Sequence, residues 1–242
     1  MRLFKICILF TVLFLFSCQQ DKYEKDYVIY QCDPTKEHIK MYWKDEQGNI
    51  IRSLGNLKEV LQGKGEELVF AMNGGMFEPN NAPKGLYIEN YQLRQPLDTL
   101  TEGKGNFYLH PNGVFYLTRD NKAMIVTTTA FKPSSTIQYA TQSGPILLLN
   151  SEINTVFTQG SKNLNIRNGV GVKPNGEVIF AMSKEKVNFY DFALLFKELG
   201  CVNALYLDGF VSRAYLPSKQ WNQTDGDFGV IIGAFRQLGI KN

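Results

Sequence analysis

Histidine and cysteine are scarce in this 242-residue sequence, which contains only 2 His and 4 Cys. The histidines, His38 and His110, lack the spacing of helix-borne zinc ligands, and the cysteines form no cluster, so neither residue type predicts a zinc site. Neither histidine lies in an arrangement typical of a catalytic triad. We therefore expect no bound metal and no cofactor, and any catalysis must depend on other side chains.

A large excess of positive charge is also missing. The formal net charge of +3 falls to +1 without residues 1–17, because that stretch holds two basic residues, Arg2 and Lys5, and no acid. This is no electrostatic footprint for nucleic acid, so we expect no nucleic-acid partner. The chain has no internal repeat, low-complexity tract or proline-rich linker. Its hydrophobic content of 44% and aromatic content of 13% are ample for the core of one domain.

The N-terminal residues have the pattern of a bacterial lipoprotein signal. Met1–Lys5 is basic, and the apolar run Ile6–Phe16 is shorter than the ~20 residues that span a bilayer. Ser17-Cys18 then resembles the end of a lipobox. An ordinary cleaved signal peptide and an uncleaved anchor are the alternatives. We predict a signal peptide over 1–17, a lipidated Cys18 with a polar tether over 18–26, and one domain over 27–242.

The predicted lipid on Cys18 determines where the protein is expected to be. Two cysteines then remain in the domain. The protein should be exported and anchored to a bacterial membrane through Cys18, either in the periplasm or at the cell surface. In that oxidising compartment a Cys32–Cys201 disulfide can persist. Two buried free thiols are the simpler interpretation.

Short runs rich in β-branched and aromatic residues recur along the chain and end at Gly, Asn or Pro, which is typical of strands. The predicted strands are Tyr27–Cys32, Leu68–Met72, Leu86–Ile88, Phe107–Leu109, Val114–Thr118, Ile125–Thr128, Ile146–Leu149, Val178–Met182, Ala204–Leu207 and Val230–Ile232. Pro111-Asn112-Gly113 and Lys173-Pro174-Asn175-Gly176 predict two hairpin turns.

One helix is clear from its spacing. An apolar face repeats at helical period from Phe189 to Leu199, with Asn188 placed to cap the helix and Gly200 to end it. A weaker helix is predicted over Leu57–Gln62. We therefore expect an α+β fold, with a core of mixed, mostly antiparallel β-sheet and a few helices packed on it.

Two glycine-containing segments place polar groups where predicted strands begin or end. Asn73-Gly74-Gly75 follows Leu68–Met72, and paired glycines let the backbone approach a ligand closely. The amide of Asn73 suits sugar hydroxyls, although a tight turn without a ligand is the plainer interpretation. Ser143-Gly144 enters the strand Ile146–Leu149. The Gly-x-Ser-x-Gly elbow is missing there, which argues against a serine hydrolase.

Two further segments carry charged groups. Arg167 lies among glycines and can present its guanidinium fork to an anion, or it can form a surface or structural ion pair. Asp208-Gly209 follows an apolar strand, with Ser212 close behind. A carboxylate at the mouth of a strand is a catalytic candidate, and a turn cap is the alternative.

Five motifs in order resemble the phosphodiester glycosidase domain, the family of a lysosomal enzyme that removes N-acetylglucosamine from a phosphodiester on mannose. They are Asn73-Gly74-Gly75-Met76-Phe77, Lys84-Gly85-Leu86-Tyr87-Ile88, Ser143-Gly144-Pro145, Arg167-Asn168-Gly169-Val170-Gly171-Val172 and Leu207-Asp208-Gly209 with Ser212. The chain departs from the family pattern at Phe210, where a second glycine is usual, and beside the arginine, at Asn168.

The resemblance implies an envelope lipoprotein that hydrolyses a sugar-1-phosphodiester, with an N-acetylglucosamine-like sugar. Asp208 would be the catalytic carboxylate and Arg167 the group that holds phosphate. Glu78 and Glu89 are possible second carboxylates. The predicted substrate-binding residues are Asn73, Gly74, Gly75, Ser143, Gly144, Gly209 and Ser212. The rival hypotheses are a non-catalytic lipoprotein that binds glycans or another envelope component and a purely structural lipoprotein.

Overall fold

The computed structural model of the protein describes residues 22–209 and 211–238. The predicted signal peptide, Cys18 and Phe210 lie outside the described residues. In the described part of the chain, neither helix is long and apolar enough to cross a membrane.

The described residues include two α-helices of ten residues each and sixteen β-strands. The helices are α1 (Leu54–Gly63) and α2 (Phe189–Glu198). The strands are β1 (Tyr27–Cys32), β2 (His38–Tyr42), β3 (Glu66–Asn73), β4 (Tyr87–Glu89), β5 (Gln92–Gln95), β6 (Gly113–Thr118), β7 (Ala123–Thr127), β8 (Ile137–Ser143), β9 (Ile146–Leu149), β10 (Glu152–Ile153), β11 (Asn168–Val172), β12 (Val178–Ser183), β13 (Asn203–Asp208), β14 (Ala214–Leu216), β15 (Trp221–Asn222) and β16 (Ile231–Gln237).

These strands form three sheets whose described neighbours pair antiparallel. The first sheet has the order β1-β12-β11-β13-β9-β10, the second β15-β14-β3-β16-β2, and the third β5-β4-β8-β6-β7. This arrangement confirms the predicted α+β class, with mostly antiparallel sheet and a few helices.

The main core lies where the three sheets meet. Phe180 of the first sheet packs against Phe70 of the second, with ring centroids 5.2 Å apart, and against Phe115 of the third at 6.0 Å. All three rings are almost fully buried. Because each sheet contributes alternate side chains to this shared centre, no sheet buries its apolar face alone.

Helix α2 confirms the prediction made from its apolar period. The side chain of Asn188 accepts a hydrogen bond from the backbone N–H of Asp191 at its start, and Gly200 follows its end with φ +82°. Its buried face covers the first sheet beside β9. Helix α1 extends beyond the predicted range because Ser53 caps it through the N–H of Asn56.

One predicted strand is wrong, and seven strands of the described residues were not predicted: β2, β5, β8, β10, β11, β14 and β15. Phe107–Leu109 is not a strand: Asn106–Tyr108 forms a 3-10 turn whose Phe107 is buried, so Pro111-Asn112-Gly113 does not link two paired strands. Conversely, the glycine-containing Asn168–Val172 is a strand, β11. A Cβ at Gly171 would lie 2.5 Å from Cys201 Sγ, so glycine permits this close packing.

The second predicted hairpin is confirmed, since the Lys173–Gly176 turn connects β11 to its antiparallel partner β12. Cys32 and Cys201 are both buried and free, so the disulfide alternative is not realised. Burial raises the pKa of the Cys201 thiol to about 12.

Candidate functional site

Ends of strands from all three sheets converge on one polar junction. Strand β3 ends at Asn73, β8 ends at Ser143, β11 begins at Asn168, and β13 ends at Asp208. These four side chains are buried, and Asp208 is the most exposed of them at 8%. The structure thus brings together four segments that the sequence singled out separately.

A hydrogen-bonded chain links the second sheet to the first through Asn168. The Nδ2 of Asn168 donates to Asn73 Oδ1 at 2.8 Å and to Asn73 O at 2.9 Å. On its other side, Asn168 Oδ1 accepts from the backbone N–H of Asp208 at 2.7 Å. Asn168 therefore holds the backbone of Asp208 in position. From the sequence, Asn168 was noted only as a departure from the family pattern next to Arg167.

The hydroxyls of the two serines predicted to bind substrate donate hydrogen bonds to backbone carbonyl oxygens. Ser143 Oγ donates to Leu207 O at 2.7 Å, which ties the third sheet to β13. Ser212 Oγ donates to Asp208 O at 3.1 Å and stabilises the turn that follows. Each hydroxyl proton is engaged, so a ligand at either serine could use only the oxygen as an acceptor.

The Asp208 carboxylate borders a cavity of about 260 Å³. Its Oδ1 accepts a hydrogen bond from the N–H of Gly209 at 2.6 Å, which restrains the carboxylate. The same cavity is lined by two lysines, an amide and apolar side chains: Lys84, Lys104, Asn106, Met76, Phe77, Phe107 and Val211. One acidic and two basic residues thus line the same small cavity.

The glycines around the junction allow close packing. A Cβ at Gly74 would lie 2.6 Å from Ile232 Cγ1, and one at Gly75 would lie 2.7 Å from Thr141 Oγ1. A Cβ at Gly209 would meet the Tyr206 hydroxyl at 1.9 Å, and one at Gly144 would meet Phe107 O at 2.9 Å. None of these four positions has room for a side chain, so their glycines shape the junction.

Arg167 does not line the Asp208 cavity. It is fully buried, with Nε donating to Val187 O and Nη2 to Asn163 O, each at 2.9 Å. Its Cζ stacks 3.5 Å from the Phe189 ring centroid, and burial lowers the pKa of Arg167. Because the Nε–Nη2 edge of the fork is committed to backbone carbonyls, the bidentate clamp expected from the sequence is not open along that edge. A phosphate-binding role for Arg167 stays a prediction.

Two buried donors at the junction have no hydrogen-bond partner in the described part of the chain. They are Nη1 of Arg167 and Nδ2 of Asn73. Buried donors are nearly always satisfied in native proteins, and leaving one unpaired costs about 1–3 kcal/mol. Both atoms therefore indicate positions where a water or ligand oxygen would be stabilised.

Glu78 and Glu89, the two possible second carboxylates, lie in different places relative to Asp208. Glu78 pairs with Lys84 at 3.3 Å and so reaches the rim of the Asp208 cavity. Glu89 lines a different cavity, where it accepts hydrogen bonds from Trp43 N and Tyr87 Oη. As placed here, Glu89 is not the second carboxylate at Asp208.

Gln142 secures the loop that supplies Lys104 and Asn106. Its Oε1 accepts from the N–H groups of Leu86 and Asp98 at 2.9 Å each, and its Nε2 donates to Asp98 O at 2.7 Å. Sequence reasoning missed this role, although Gln142 directly precedes the predicted Ser143. Lys84 begins one of the five motifs, whereas nothing in the local pattern marks Lys104 or Asn106.

Strand ends from three antiparallel sheets meet at this junction, and one of its residues, Asp208, lines a small cavity. The chain belongs to the phosphodiester glycosidase family, whose model matches residues 66–232. It is 42% identical over 188 residues to the uncharacterised Escherichia coli (strain K12) protein YigE, covering 77% of this chain and 73% of that protein.

Solved structures share the fold at low sequence identity. The zebrafish N-acetylglucosamine-1-phosphodiester alpha-N-acetylglucosaminidase catalytic domain, auto-inhibited by its pro-peptide, matches with a TM-score of 0.60 and 14% identity over 86% of this chain and 82% of that one. A hypothetical protein from Synechocystis matches with a TM-score of 0.55 and 14% identity over 86% of this chain and 59% of its own.

Proposed function

We propose that the protein hydrolyses sugar-1-phosphodiesters in the Asp208 cavity, releasing the sugar and a phosphomonoester. Family membership supports the reaction class. The observation that carries the assignment to this cavity is the meeting of one restrained carboxylate with two lysines. The name of the zebrafish relative supports an N-acetylglucosamine-like sugar.

Asp208 is the proposed catalytic carboxylate. It takes a proton from water as the water oxygen bonds to the anomeric carbon, or it stabilises the positive charge that develops there. The bond from that carbon to the phosphate oxygen breaks, and the electron pair leaves with the phosphate. The hydrogen bonds from Asp208 N to Asn168 and from Gly209 N to Asp208 Oδ1 hold the carboxylate in place without reorganisation during the reaction.

Lys84 and Lys104 are the proposed contacts of the phosphate. Both lysines line the cavity with Asp208, whereas Arg167 is fully buried and does not line it. Negative charge grows on the phosphate as the bond breaks, and two ammonium groups stabilise that charge. A phosphate is already a fair leaving group, so no strong general acid is needed. Arg167 would act on the phosphate only through Nη1, its one nitrogen without a partner in the described residues.

We further propose that the enzyme works in the cell envelope as a lipoprotein. The basic Met1–Lys5 segment, the apolar Ile6–Phe16 run and the position of Cys18 support export and lipidation. The substrate would then be a sugar phosphate or glycan of the envelope, and the membrane contact would be the lipid on Cys18.

Incubation of the purified protein with a panel of sugar-1-phosphodiesters tests the activity. Methyl N-acetylglucosamine-1-phosphate should yield free N-acetylglucosamine and methyl phosphate, detected by mass spectrometry. The matched methyl glycoside without phosphate should be cleaved far more slowly, because nothing on it meets the lysines. Saturable binding without product from any phosphodiester would favour the non-catalytic, glycan-binding alternative.

A further inference from the structure

A second cavity lies between strand β2 and the β4–β5 hairpin, away from Asp208. Its volume is about 500 Å³, roughly twice that of the Asp208 cavity and within the range of small-molecule sites. Tyr42, Trp43, Glu89, Asn90 and Tyr139 form part of its wall. We call it the Glu89 cavity. None of the residues assigned above to hydrolysis lines it.

The wall of the Glu89 cavity presents polar groups of the kind that bind sugar hydroxyls. The Tyr42 hydroxyl is buried and has no hydrogen-bond partner among residues 22–209 and 211–238. Tyr139 donates its hydroxyl proton to Asn90 Oδ1 at 2.6 Å and keeps an acceptor oxygen. Burial raises the pKa of the Glu89 carboxyl. An unpaired buried hydroxyl among such groups indicates a missing polar partner.

Four basic residues and three acidic ones, Asp45, Glu46 and Glu89, line the cavity together. Lys64 is paired with Glu46 at 2.7 Å, and Arg94 lies 3.9 Å from Glu89. Lys40 and Lys44 also line the cavity, but they lie over aromatic rings, and neither is in an ion pair within the described part of the chain. Two ammonium groups therefore remain available to an anion.

The hairpin turn beside the cavity holds an unfavourable backbone conformation. Asn90 and Tyr91 have φ of +49° and +66°, and a bulky side chain such as tyrosine rarely adopts this region. Asn90 both forms the turn and accepts the hydrogen bond from Tyr139. A two-residue turn between paired strands requires positive φ at both central residues, so the β4–β5 hairpin itself enforces this conformation.

We propose that the Glu89 cavity binds an acidic saccharide. The hydroxyls of the sugar meet Tyr42, Glu89 and Asn90, and its phosphate or carboxylate meets Lys40 and Lys44. The segment from Met76 to Glu89 separates this site from the Asp208 cavity, because Met76 and Lys84 line one cavity and Glu89 lines the other.

Tryptophan fluorescence of the full chain can test this proposal directly. The sequence has 2 Trp, so Trp221→Phe leaves Trp43, in the cavity wall, as the sole reporter. Four probes are titrated: glucose 6-phosphate, glucuronate, glucose and inorganic phosphate. Both acidic sugars should give a saturable change, with affinities about tenfold or more above those of glucose and inorganic phosphate, the scale of one charge-assisted hydrogen bond.

Three variants in the Trp221→Phe background sharpen the result. Tyr42→Phe should weaken binding of both acidic sugars several-fold without lowering the melting temperature, whereas the matched Tyr116→Phe change, outside the cavity, should not alter binding. Lys44→Gln should weaken the acidic sugars but not glucose. Asp208→Asn should leave binding intact, which separates this site from the proposed hydrolysis.

The proposal is overturned by any of three results. These are no saturable change with either acidic sugar, equal binding of inorganic phosphate alone, or full affinity in both the Tyr42→Phe and Lys44→Gln proteins.

Discussion

Replacing Asp208 with asparagine is the sharpest test of the proposed hydrolysis. Asparagine keeps an oxygen that can accept from Gly209 N–H, as Asp208 Oδ1 does at 2.6 Å. It also keeps the backbone N–H that donates to Asn168. The fold should therefore survive, while the negative charge beside Lys84 and Lys104 is lost. Loss of a positioned general base costs about 10²–10⁴ in rate, or about 3–5 kcal/mol of transition-state stabilisation.

The assay is release of N-acetylglucosamine from methyl N-acetylglucosamine-1-phosphate, with melting temperatures measured in parallel. Asp120→Asn is a matched control, because Asp120 is an exposed carboxylate that pairs with Lys122, and it does not line the Asp208 cavity. That variant should retain full activity. A folded Asp208→Asn protein with near-normal turnover would refute the mechanism. A variant that unfolds would instead favour the view that Asp208 only caps its turn.

Three further changes test other parts of the argument. Lys84→Gln should raise KM for the phosphodiester about tenfold, the scale of one charge-assisted contact. This increase should exceed the one caused by Arg167→Lys. The reverse order in steady-state kinetics would show that Arg167, and not Lys84, is the main contact of the phosphate. Asn168→Ala removes the hydrogen bonds that link Asn73 to Asp208. Thermal denaturation should therefore show a free energy of unfolding lower by about 2–5 kcal/mol. An unchanged melting temperature would count against this link. Cys18→Ala should abolish labelling with a radioactive fatty acid, and persistent labelling would rule out Cys18 as the lipid site.

Local pattern was enough to predict much of the scaffold. Helix α2 follows from its apolar period and the Asn188 cap, and most strands follow from short β-branched runs between turn residues. The predicted positions of Asn73 and Asp208 at strand ends also hold, because each ends a buried run. Ser143 was expected only before the strand Ile146–Leu149, and it also ends β8, which was not predicted. These features depend on residues close together in the sequence.

The missed features depend on contacts between distant segments. Strand β11 packs closely because Gly171 fits beneath Phe196 and Cys201, which no local propensity encodes. The fork of Arg167 is occupied by carbonyls of Asn163 and Val187, so its burial was not visible from the glycines beside it. Lys104 reaches the cavity on a loop that Gln142 holds in place from elsewhere in the chain.

The junction has a consequence for how activity is lost. Asn73, Ser143, Asn168 and Asp208 come from three different sheets and are joined by hydrogen bonds that cross from sheet to sheet. No single sheet contains the whole arrangement, and its members span residues 73 to 208 of the chain. Local fraying at one edge leaves it intact, whereas separation of any two sheets dismantles it at once. Activity during denaturation should thus fall along the same curve as global unfolding, which would make turnover a direct measure of folded protein.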